Sequence, residues 1–154
     1  MAARVLQGMS DVEASLGREA GVSEWLTVKQ ETIDRFADLT GDRQWIHVDQ
    51  ERARTESPFG ATVAHGFLTV ALLSRMVKDA VEVRGDFKMG VNYGFNRLRF
   101  PAPVRSGSRI RAHVTPNATK EVEGGIEIVW GIIVEIEGET KPALAAEWVV
   151  RMYH

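Results

Sequence analysis

The stretch HGFLTVALLSRMVKDAVEV, residues 65–83, decides the fold of this chain. Its apolar residues fall on most sides of a helix with 3.6 residues per turn, whereas a surface helix shows one apolar stripe. The pattern therefore predicts a helix from His65 to about Val83 that is enclosed by other parts of the protein. Ser74 and Arg75 interrupt the apolar run, which is too short to span a bilayer, so we expect a core helix and no membrane partner.

The segments on either side of this helix have different patterns. Before it, apolar spacing predicts helices over residues 5–16, 31–39 and 50–55, with a short strand over 24–28. After it, alternating and β-branched residues predict strands over residues 87–99, 108–115, 125–137 and 142–152. Helices that come early and strands that come late indicate an α+β fold, with an antiparallel sheet curled around the helix.

Length and composition limit the possible classes of protein. The chain has 154 residues and a formal net charge of −2. This length suits a single domain over residues 1–154, in which residues 1–21 form an N-terminal helical extension. The small charge gives no reason to expect nucleic acid as a partner. Cysteine is absent, which excludes disulfides and thiolate chemistry, and the first residues lack the apolar core of a signal peptide, so we expect a cytoplasmic protein.

The stretch LTGDRQWIHVD, residues 39–49, holds the first candidate site. The His47 side chain ionises near neutral pH, and Asp42 lies close before it in the sequence. If the loop brings the two side chains together, they can hold one water and exchange a proton with it. In the plainer alternative, Asp42 caps a turn at Gly41 and His47 makes a local hydrogen bond. Spacing alone favours the plainer alternative.

The start of the long helix is the second candidate site. The first amides of a helix lack intrahelical acceptors and carry partial positive charge, and Gly66 leaves room for a ligand oxygen beside them. The position is a candidate oxyanion hole, although Gly66 also suits close packing of the helix on the sheet. His65 is a candidate ligand-binding residue, although a structural histidine at the helix start is the favoured alternative. His47, Asp49 and His65 form only a weak candidate metal site, and we expect no metal.

Polar residues further along the chain are a third set of candidates. Ser74 lies two turns beyond Gly66 on roughly the same side of the helix, and no Gly-x-Ser-x-Gly motif surrounds it. Asn92 and Gly94 interrupt a strand pattern, which indicates either close approach of a ligand or a bulge with Tyr93 packed on the helix. A basic run across two strands could contact coenzyme phosphates or face solvent: Arg97, Arg99, Arg105, Arg109 and Arg111.

Two spaced motifs resemble a known family. They are Phe36-Ala37-x-x-Thr40-Gly41-Asp42-x-x-x-Ile46-His47-x-Asp49 and Phe59-Gly60-x-x-Val63-Ala64-His65-Gly66. Their order and spacing are similar to those of the MaoC-like (R)-specific enoyl-CoA hydratases. The segments from Gly41 to His47 and from Val91 to Val104 are most similar to the nodulation protein N-like branch of that family. The whole resemblance covers roughly residues 23–150.

The resemblance implies a hot-dog fold, in which an antiparallel sheet wraps around a long central helix, and a homodimer with active sites near the subunit interface. It implies that Asp42 and His47 are the catalytic pair of a lyase that reversibly hydrates trans-2-enoyl-CoA to (R)-3-hydroxyacyl-CoA. Coenzyme A is then carried on the substrate, and no cofactor is needed. The Gly66 amide would hold the thioester carbonyl, with Ser74 in the same pocket. The substrate-binding candidates are then Gly66, Ser74, His65, Asn92 and Gly94.

One part of the motif departs from the family pattern. Many members have Asn-Pro where this chain has Gln44-Trp45, so the loop lacks the stiffness of a proline. We expect Trp45 to supply that stiffness by packing into the core, and Gln44 to replace the hydrogen bonds of the asparagine. Three alternatives keep the fold but change the function: a 3-hydroxyacyl-carrier-protein dehydratase, an acyl-CoA thioesterase and a non-catalytic acyl-CoA-binding protein. The presence of both Asp42 and His47 counts against a pure binding protein.

Overall fold

The computed structural model describes residues 2–154. In chain order the elements are β1 (Arg4–Gln7), α1 (Gly8–Ala14), β2 (Gly21–Val22), β3 (Leu26–Thr27), α2 (Gln30–Thr40), α3 (Trp45–Val48), α4 (Gln50–Glu56), α5 (Gly66–Ala80), β4 (Val81–Arg84), β5 (Met89–Arg99), β6 (Arg109–Val122), β7 (Gly125–Ile136) and β8 (Leu144–Tyr153). Most helices precede the long strands, so the predicted α+β class is confirmed.

A six-stranded antiparallel sheet curls around α5. Its order is β2-β6-β7-β8-β5, and β3 pairs with the same edge of β6 as β2 does. Because side chains alternate across a strand, one face of the sheet can be apolar throughout. On β7 the buried residues of this inner face are Ile126, Ile128, Trp130, Ile132, Val134 and Ile136. β6 runs past its predicted end at Thr115, because a register shift after Pro116 accommodates a residue that has no N–H to donate.

The central helix α5 is shorter than predicted. It ends at Ala80 rather than Val83, because residues 81–84 form β4, which pairs in parallel with β1. Alternating β-branched residues favour the strand once a partner strand is present. Leu73 is buried against the sheet, whereas Phe67 is 73% exposed on an uncovered side of the helix. No helix within residues 2–154 has the length and apolar character needed to cross a membrane.

Residues 5–16 do not form the continuous helix that the sequence predicted. The strand β1 comes first, and the helix α1 begins only at Gly8, whose φ of 74° separates the two elements. Burial explains the strand, since the Leu6 side chain is 1% exposed and belongs to the core. Beyond α1 the chain follows β6, where the Ala20 amide donates to the Val114 carbonyl at 2.8 Å. This segment therefore covers one side of the sheet.

The strand β5 forms one edge of the sheet. Its pairing with β8 shifts register between Asn92 and Gly94, so the predicted bulge is present. The Tyr93 ring does not pack on the helix as that alternative supposed. It lies 3.5 Å from the Arg151 guanidinium carbon and is 60% exposed. Met89 is exposed as well, and an edge strand with exposed apolar side chains is an available pairing surface.

Candidate active site

The helix α2 ends where the Asp42 loop begins. Gly41 adopts the left-handed conformation with φ of 76°, which glycine reaches without strain, and its amide donates to the Ala37 carbonyl at 2.9 Å. Asp42 follows and is exposed, and its Oδ1 accepts a hydrogen bond from the Gln44 amide at 3.5 Å. The predicted helix stop and turn are confirmed, and they hold the start of the Asp42 loop in place.

A short helix that the sequence did not indicate, α3, carries His47. Its backbone is fixed at both sides, since the His47 amide donates to the Gln44 carbonyl at 2.9 Å and the Val63 amide donates to the Ile46 carbonyl at 3.0 Å. The His47 side chain is 6% exposed, and its Nδ1 lies 2.6 Å from the Val63 carbonyl oxygen. A carbonyl oxygen can only accept, so Nδ1 carries the proton and Nε2 presents a lone pair.

Burial has the largest influence on the ionisation of His47. Removal of solvent disfavours the imidazolium and lowers the pKa of His47 below its usual value of 6.5. The hydrogen bond to the Val63 carbonyl raises this pKa, the neighbouring His65 lowers it, and the Asp42 carboxylate raises it, with a net shift downward. At neutral pH the imidazole is therefore uncharged, and Nε2 can accept a proton.

Asp42, His47 and His65 form one cluster. A side-chain nitrogen or oxygen from each residue lies within 4.8 Å of those from the other two. The five residues of loop and short helix therefore bring Asp42 and His47 close together, which sequence spacing alone could not establish. A single water can bridge a carboxylate and an imidazole nitrogen at such a separation, and it can exchange a proton with either group.

His65 joins the Asp42–His47 pair to α5. It is 4% exposed, and its ring stacks on that of His47 with centroids 3.8 Å apart and planes inclined by 22°. Its Nε2 lies 2.9 Å from the Asp42 carbonyl oxygen and must therefore carry the proton. Its buried Nδ1 has no hydrogen-bond partner within residues 2–154. His65 is thus a buried neighbour of both members of the pair.

The stacked rings are poorly arranged for a shared metal ion. A metal lies close to the plane of each imidazole that binds it, and two nearly parallel rings 3.8 Å apart have no such point in common nearby. Asp49, which the sequence suggested as a third ligand, is not in the cluster. Its Oδ1 accepts from the Arg52 amide at 3.0 Å and caps α4, as the sequence predicted for that helix.

Gly66 and His47 line a common cavity of about 410 Å³. Most of its other walls are apolar, and they include Val63 and Phe100. The Phe100 ring lies close to Gly66, since an added Cβ would come 3.1 Å from the ring Cζ. His65, the N-cap residue, provides no side-chain cap for α5. The Leu68 and Thr69 amides donate to the His65 carbonyl, whereas within residues 2–154 the Gly66 and Phe67 amides have no acceptor. The Gly66 amide is therefore available to an oxygen atom that enters the cavity.

Ser74, Asn92 and Gly94 lie together at a different place. They line a cavity of about 190 Å³ between α5 and β5. No residue of this lining belongs to the His47–Gly66 cavity. Ser74 is exposed rather than buried within the apolar helix. In a single chain the candidate residues therefore form two groups, and Ser74 does not share a pocket with Gly66.

The Gln44-Trp45 segment is held differently from the expectation. Trp45 is half-buried and lies outside the core, with the Arg52 guanidinium carbon 4.2 Å above its ring centroid. The Gln44 side chain is exposed, and only its backbone contacts Asp42 and His47. The expectation that Trp45 packs into the core is therefore wrong. The backbone hydrogen bonds of α3 hold this segment in place of a proline.

Gln30 is a further residue of the site, and sequence reasoning missed it. Its Nε2 donates to the His47 carbonyl at 2.7 Å, and its Oε1 accepts from the Thr62 hydroxyl at 2.5 Å. Thr62 is 2% exposed. One side chain thus fixes the C-terminal part of α3 to the segment before α5. No signal in the sequence links Gln30 to Thr62, because a lone glutamine at a helix start has many possible contacts.

Most of the basic run faces acids across the sheet. The residues that pair with glutamates are Arg105, Arg109 and Arg111. Within residues 2–154, Arg97 and Arg99 form no such ion pair. Together with Lys141 they line a hollow of about 960 Å³ that is separate from the His47–Gly66 cavity. Of the candidates for phosphate contact, only these two arginines remain unpaired.

Comparison with known proteins points to one family. The family model described as "MaoC like domain" matches residues 11–135. The chain is 46% identical over 149 residues to 3-hydroxyacyl-thioester dehydratase Z of Mycobacterium tuberculosis. This match covers 96% of this chain and 97% of that relative. It is 48% identical over 143 residues to nodulation protein N of Rhizobium leguminosarum bv. viciae, with coverage of 92% and 88%.

A solved structure agrees with the fold described above. The (R)-hydratase from A. caviae involved in PHA biosynthesis superposes with a TM-score of 0.64 at 25% identity, and the match covers 87% of this chain and 96% of that chain. The central helix α5 within a curled antiparallel sheet is therefore a hot-dog fold, as the resemblance implied.

Proposed function

The chain belongs to the MaoC-like dehydratase family, and on this basis we propose that it reversibly hydrates trans-2-enoyl-CoA to (R)-3-hydroxyacyl-CoA. The observation that carries the proposal is the proximity of the Asp42 and His47 side chains, within 4.8 Å, beside a cavity that His47 and Gly66 line. A carboxylate, a neutral imidazole and a helix N-terminus supply the groups that hydration needs. The name of the dehydratase relative supports an acyl-thioester substrate and a hydro-lyase reaction.

The thioester carbonyl binds at the start of α5 in this proposal. Its oxygen accepts hydrogen bonds from the Gly66 amide and the adjacent helix start, which withdraws electron density from C3 of the enoyl group. Water held between Asp42 and His47 attacks C3, so a C3–O bond forms and the C2–C3 π pair moves toward the carbonyl oxygen. The positive end of α5 stabilises the resulting enolate.

Proton transfer completes the addition. As the water attacks, one of the two groups, Asp42 or His47, takes its proton, and a proton then bonds to C2 on the same face. The Nδ1–H of His47 is engaged in a hydrogen bond to the Val63 carbonyl, and the Asp42 carboxylate carries no proton that it could transfer to C2. The proton that leaves the water is therefore the one that C2 receives. The reverse sequence eliminates water from a 3-hydroxyacyl-thioester.

Other reactions of acyl-thioesters make different demands on the site. A dehydratase acting on a carrier protein would use the same chemistry in the reverse direction, and the name of the Mycobacterium relative supports this as the second candidate. A thioesterase must deliver water to the carbonyl carbon, whereas the Asp42–His47 water is assigned here to C3. A non-catalytic binding protein has no need for either residue.

A single assay separates these activities. Purified protein is supplied with crotonyl-CoA and longer enoyl-CoAs, and the loss of enoyl absorbance is followed together with free thiol. We expect hydration without thiol release and an (R)-3-hydroxyacyl product on chiral analysis. Release of thiol would identify a thioesterase, and tight binding without turnover of any chain length would identify a binding protein. Activity that survives exhaustive dialysis against a chelator is also expected, because no step uses a metal.

Substitution of the two catalytic candidates tests the site assignment. Asp42→Asn and His47→Gln should each lower kcat by about 10²- to 10⁴-fold, because each removes a proton-transfer group. Asp49→Asn and His154→Gln are matched controls, since they change the same residue types outside the cluster. The assignment is wrong if both site variants retain nearly full activity while remaining folded.

We further propose that the active form is a homodimer that pairs through β5 and the uncovered side of α5. Phe67 on α5 and Met89 on β5 are 73% and 58% exposed, and the cavity that contains Ser74 opens between these two elements. Sedimentation should give twice the chain mass of 17.1 kDa. Val91→Glu should yield monomer, whereas Ile133→Glu, at another exposed apolar position, should leave the mass unchanged. A monomeric wild-type protein would overturn this part of the proposal.

A further inference from the structure

His65 adjoins Asp42, His47 and Gly66, yet no step of the proposed hydration uses it. It directly precedes Gly66, its ring stacks on His47 at 3.8 Å, and its Nε2 lies 2.9 Å from the Asp42 carbonyl oxygen. It does not line the cavity that Gly66 and His47 share, so it is not placed to contact the substrate. Its contacts are with the residues that would act, and not with the reacting atoms.

We propose that His65 is a positioning residue that fixes Asp42 and His47 relative to the Gly66 amide. The role rests on the proposed hydration, because that reaction requires the water and the thioester carbonyl to be held at one separation. The Nε2–H of His65 holds the Asp42 carbonyl, and its ring sets the plane of the His47 imidazole. Since His65 is the N-cap residue of α5, both proton-transfer groups take their positions from the helix that binds the carbonyl.

The unpaired Nδ1 of His65 indicates that the residue is not present as simple packing. A buried polar atom without a partner destabilises the folded state. The surroundings include the Phe36 ring at 5.0 Å, so an apolar side chain of similar size would suit the space without leaving a polar atom unpaired. The hydrogen bond from Nε2 to Asp42 is the contact that offsets this disadvantage and that only a side chain with a donor can make.

The stacked ring also acts on the charge of His47. The ionisable neighbours that influence the His47 imidazole are His65 and Asp42, and they act in opposite directions. His65 lowers the pKa of His47, after burial as the largest cause, and so helps to keep Nε2 unprotonated. Loss of the His65 imidazole should therefore raise the pKa of His47. If His65 only filled space, its replacement would leave this pKa unchanged.

Three variants separate these contributions. His65→Phe keeps an aromatic ring and removes the N–H donor, whereas His65→Gln supplies an amide N–H at about the reach of Nε2 and removes the ring. His154→Gln is the matched control. That histidine also has a ring nitrogen 2.7 Å from a backbone carbonyl, of Asp86, and it stacks on Phe87 at a centroid distance of 5.1 Å, but it lies outside the site.

Steady-state kinetics with crotonyl-CoA give the first readout. We expect kcat of His65→Phe to fall about tenfold to a hundredfold with little change in KM, because displacement of the acting groups slows the chemical step. His65→Gln should recover most of this loss. In both variants the acid limb of the kcat/KM profile should move to higher pH, and His154→Gln should change neither quantity. A lower melting temperature with an unmoved acid limb and no rescue by glutamine would overturn the proposal.

A second readout needs no substrate. Nitrogen-15 NMR of the histidines of the full chain reports which ring nitrogen carries the proton. We expect Nε2–H for His65 and Nδ1–H for His47, and we expect amide shifts of residues 41–44 to move in His65→Phe but not in His154→Gln. An Nδ1–H form of His65 would overturn the inference even if hydration is observed. Expected NMR results without hydration of any thioester would instead contradict the proposed function.

Discussion

The buried imidazole of His47 resists the charge that an added proton would bring. A histidine that acts as a base must be neutral before the reaction begins. Burial lowers the pKa of His47 below 6.5, so we predict that the acid limb of kcat/KM for crotonyl-CoA hydration lies below 6.5. A pH profile measured under subsaturating substrate checks this. An acid limb at or above 6.5 would contradict the predicted effect of burial.

Gly66 leaves space that a larger residue would fill. An added Cβ would come 3.1 Å from the Phe100 ring, so Gly66→Ala should displace that ring at the wall of the cavity and disturb binding of the carbonyl. We predict a loss of roughly tenfold to a hundredfold in kcat/KM, in line with a weakened oxyanion site. The double variant Gly66→Ala with Phe100→Ala relieves the contact and should recover part of the loss. Unchanged kcat/KM in Gly66→Ala would remove Gly66 from the site.

The sequence singled out Asp42 and His47 as candidates, and the structure adds that their side chains lie close together. The ordered motifs and the resemblance singled out both residues, and spacing alone favoured a plain turn. Their proximity depends on α3, which is too short to give a periodic pattern in the sequence. Gln30 could not be predicted either, because its partner Thr62 lies in another part of the chain. Contacts between distant segments leave no local signal.

At the scale of elements, the stiffness of α3 depends on Gln30. Its amide joins the His47 carbonyl to the Thr62 hydroxyl, so Gln30→Ala leaves a buried hydroxyl without this partner. We predict a loss of about 1–3 kcal/mol in the free energy of unfolding, together with a lower kcat. Urea denaturation and the hydration assay measure the two effects. Gln50→Ala, at the exposed first residue of α4, is the control, and an equal effect there would contradict the assigned role.

The elements that were predicted correctly have strong local patterns. The alternation on β7 and the apolar spacing of α2 each reflect one buried face, so the predicted ranges of both agree closely with the structure. β1 and β4 were missed because each is short and becomes a strand only when it pairs with the other. The same pairing shortened α5, since Val81 and Val83 are apolar and continue the helical pattern in the sequence. Tertiary pairing there outweighs local propensity.

At the scale of the whole molecule, His113 on β6 links the N-terminal segment to the sheet through contacts with glutamates. Its Nδ1 lies 2.8 Å from Glu19 and its Nε2 lies 2.9 Å from Glu135, which also binds Arg111. Burial by itself lowers the pKa of His113, but the hydrogen bonds to Glu135 and Glu19 outweigh it, and the net shift is upward. The folded state therefore binds this proton more tightly than the unfolded chain does.

This linkage predicts a pH-dependent stability. The contribution of His113 should be fully present below its unfolded pKa of 6.5 and should be lost as the pH rises through the higher folded pKa. We expect up to about 1 kcal/mol, because the residue is only partly buried. The difference in free energy of unfolding between wild type and His113→Gln measures it, with His154→Gln as control. A difference that does not vary with pH would contradict the ion-pair assignment.

The strand order has a consequence for synthesis on the ribosome. Within residues 2–154 the strand β5 pairs with β8 alone, and β8 follows it in the chain after β6 and β7 have been made. The exposed apolar edge of β5 is therefore synthesised before its partner strand. It has no neighbour within its own chain until residues 144–153 have emerged. Such an interval favours association with other nascent chains, and chaperone binding is a usual protection against it. Completion of the sheet during synthesis thus depends on the emergence of β8.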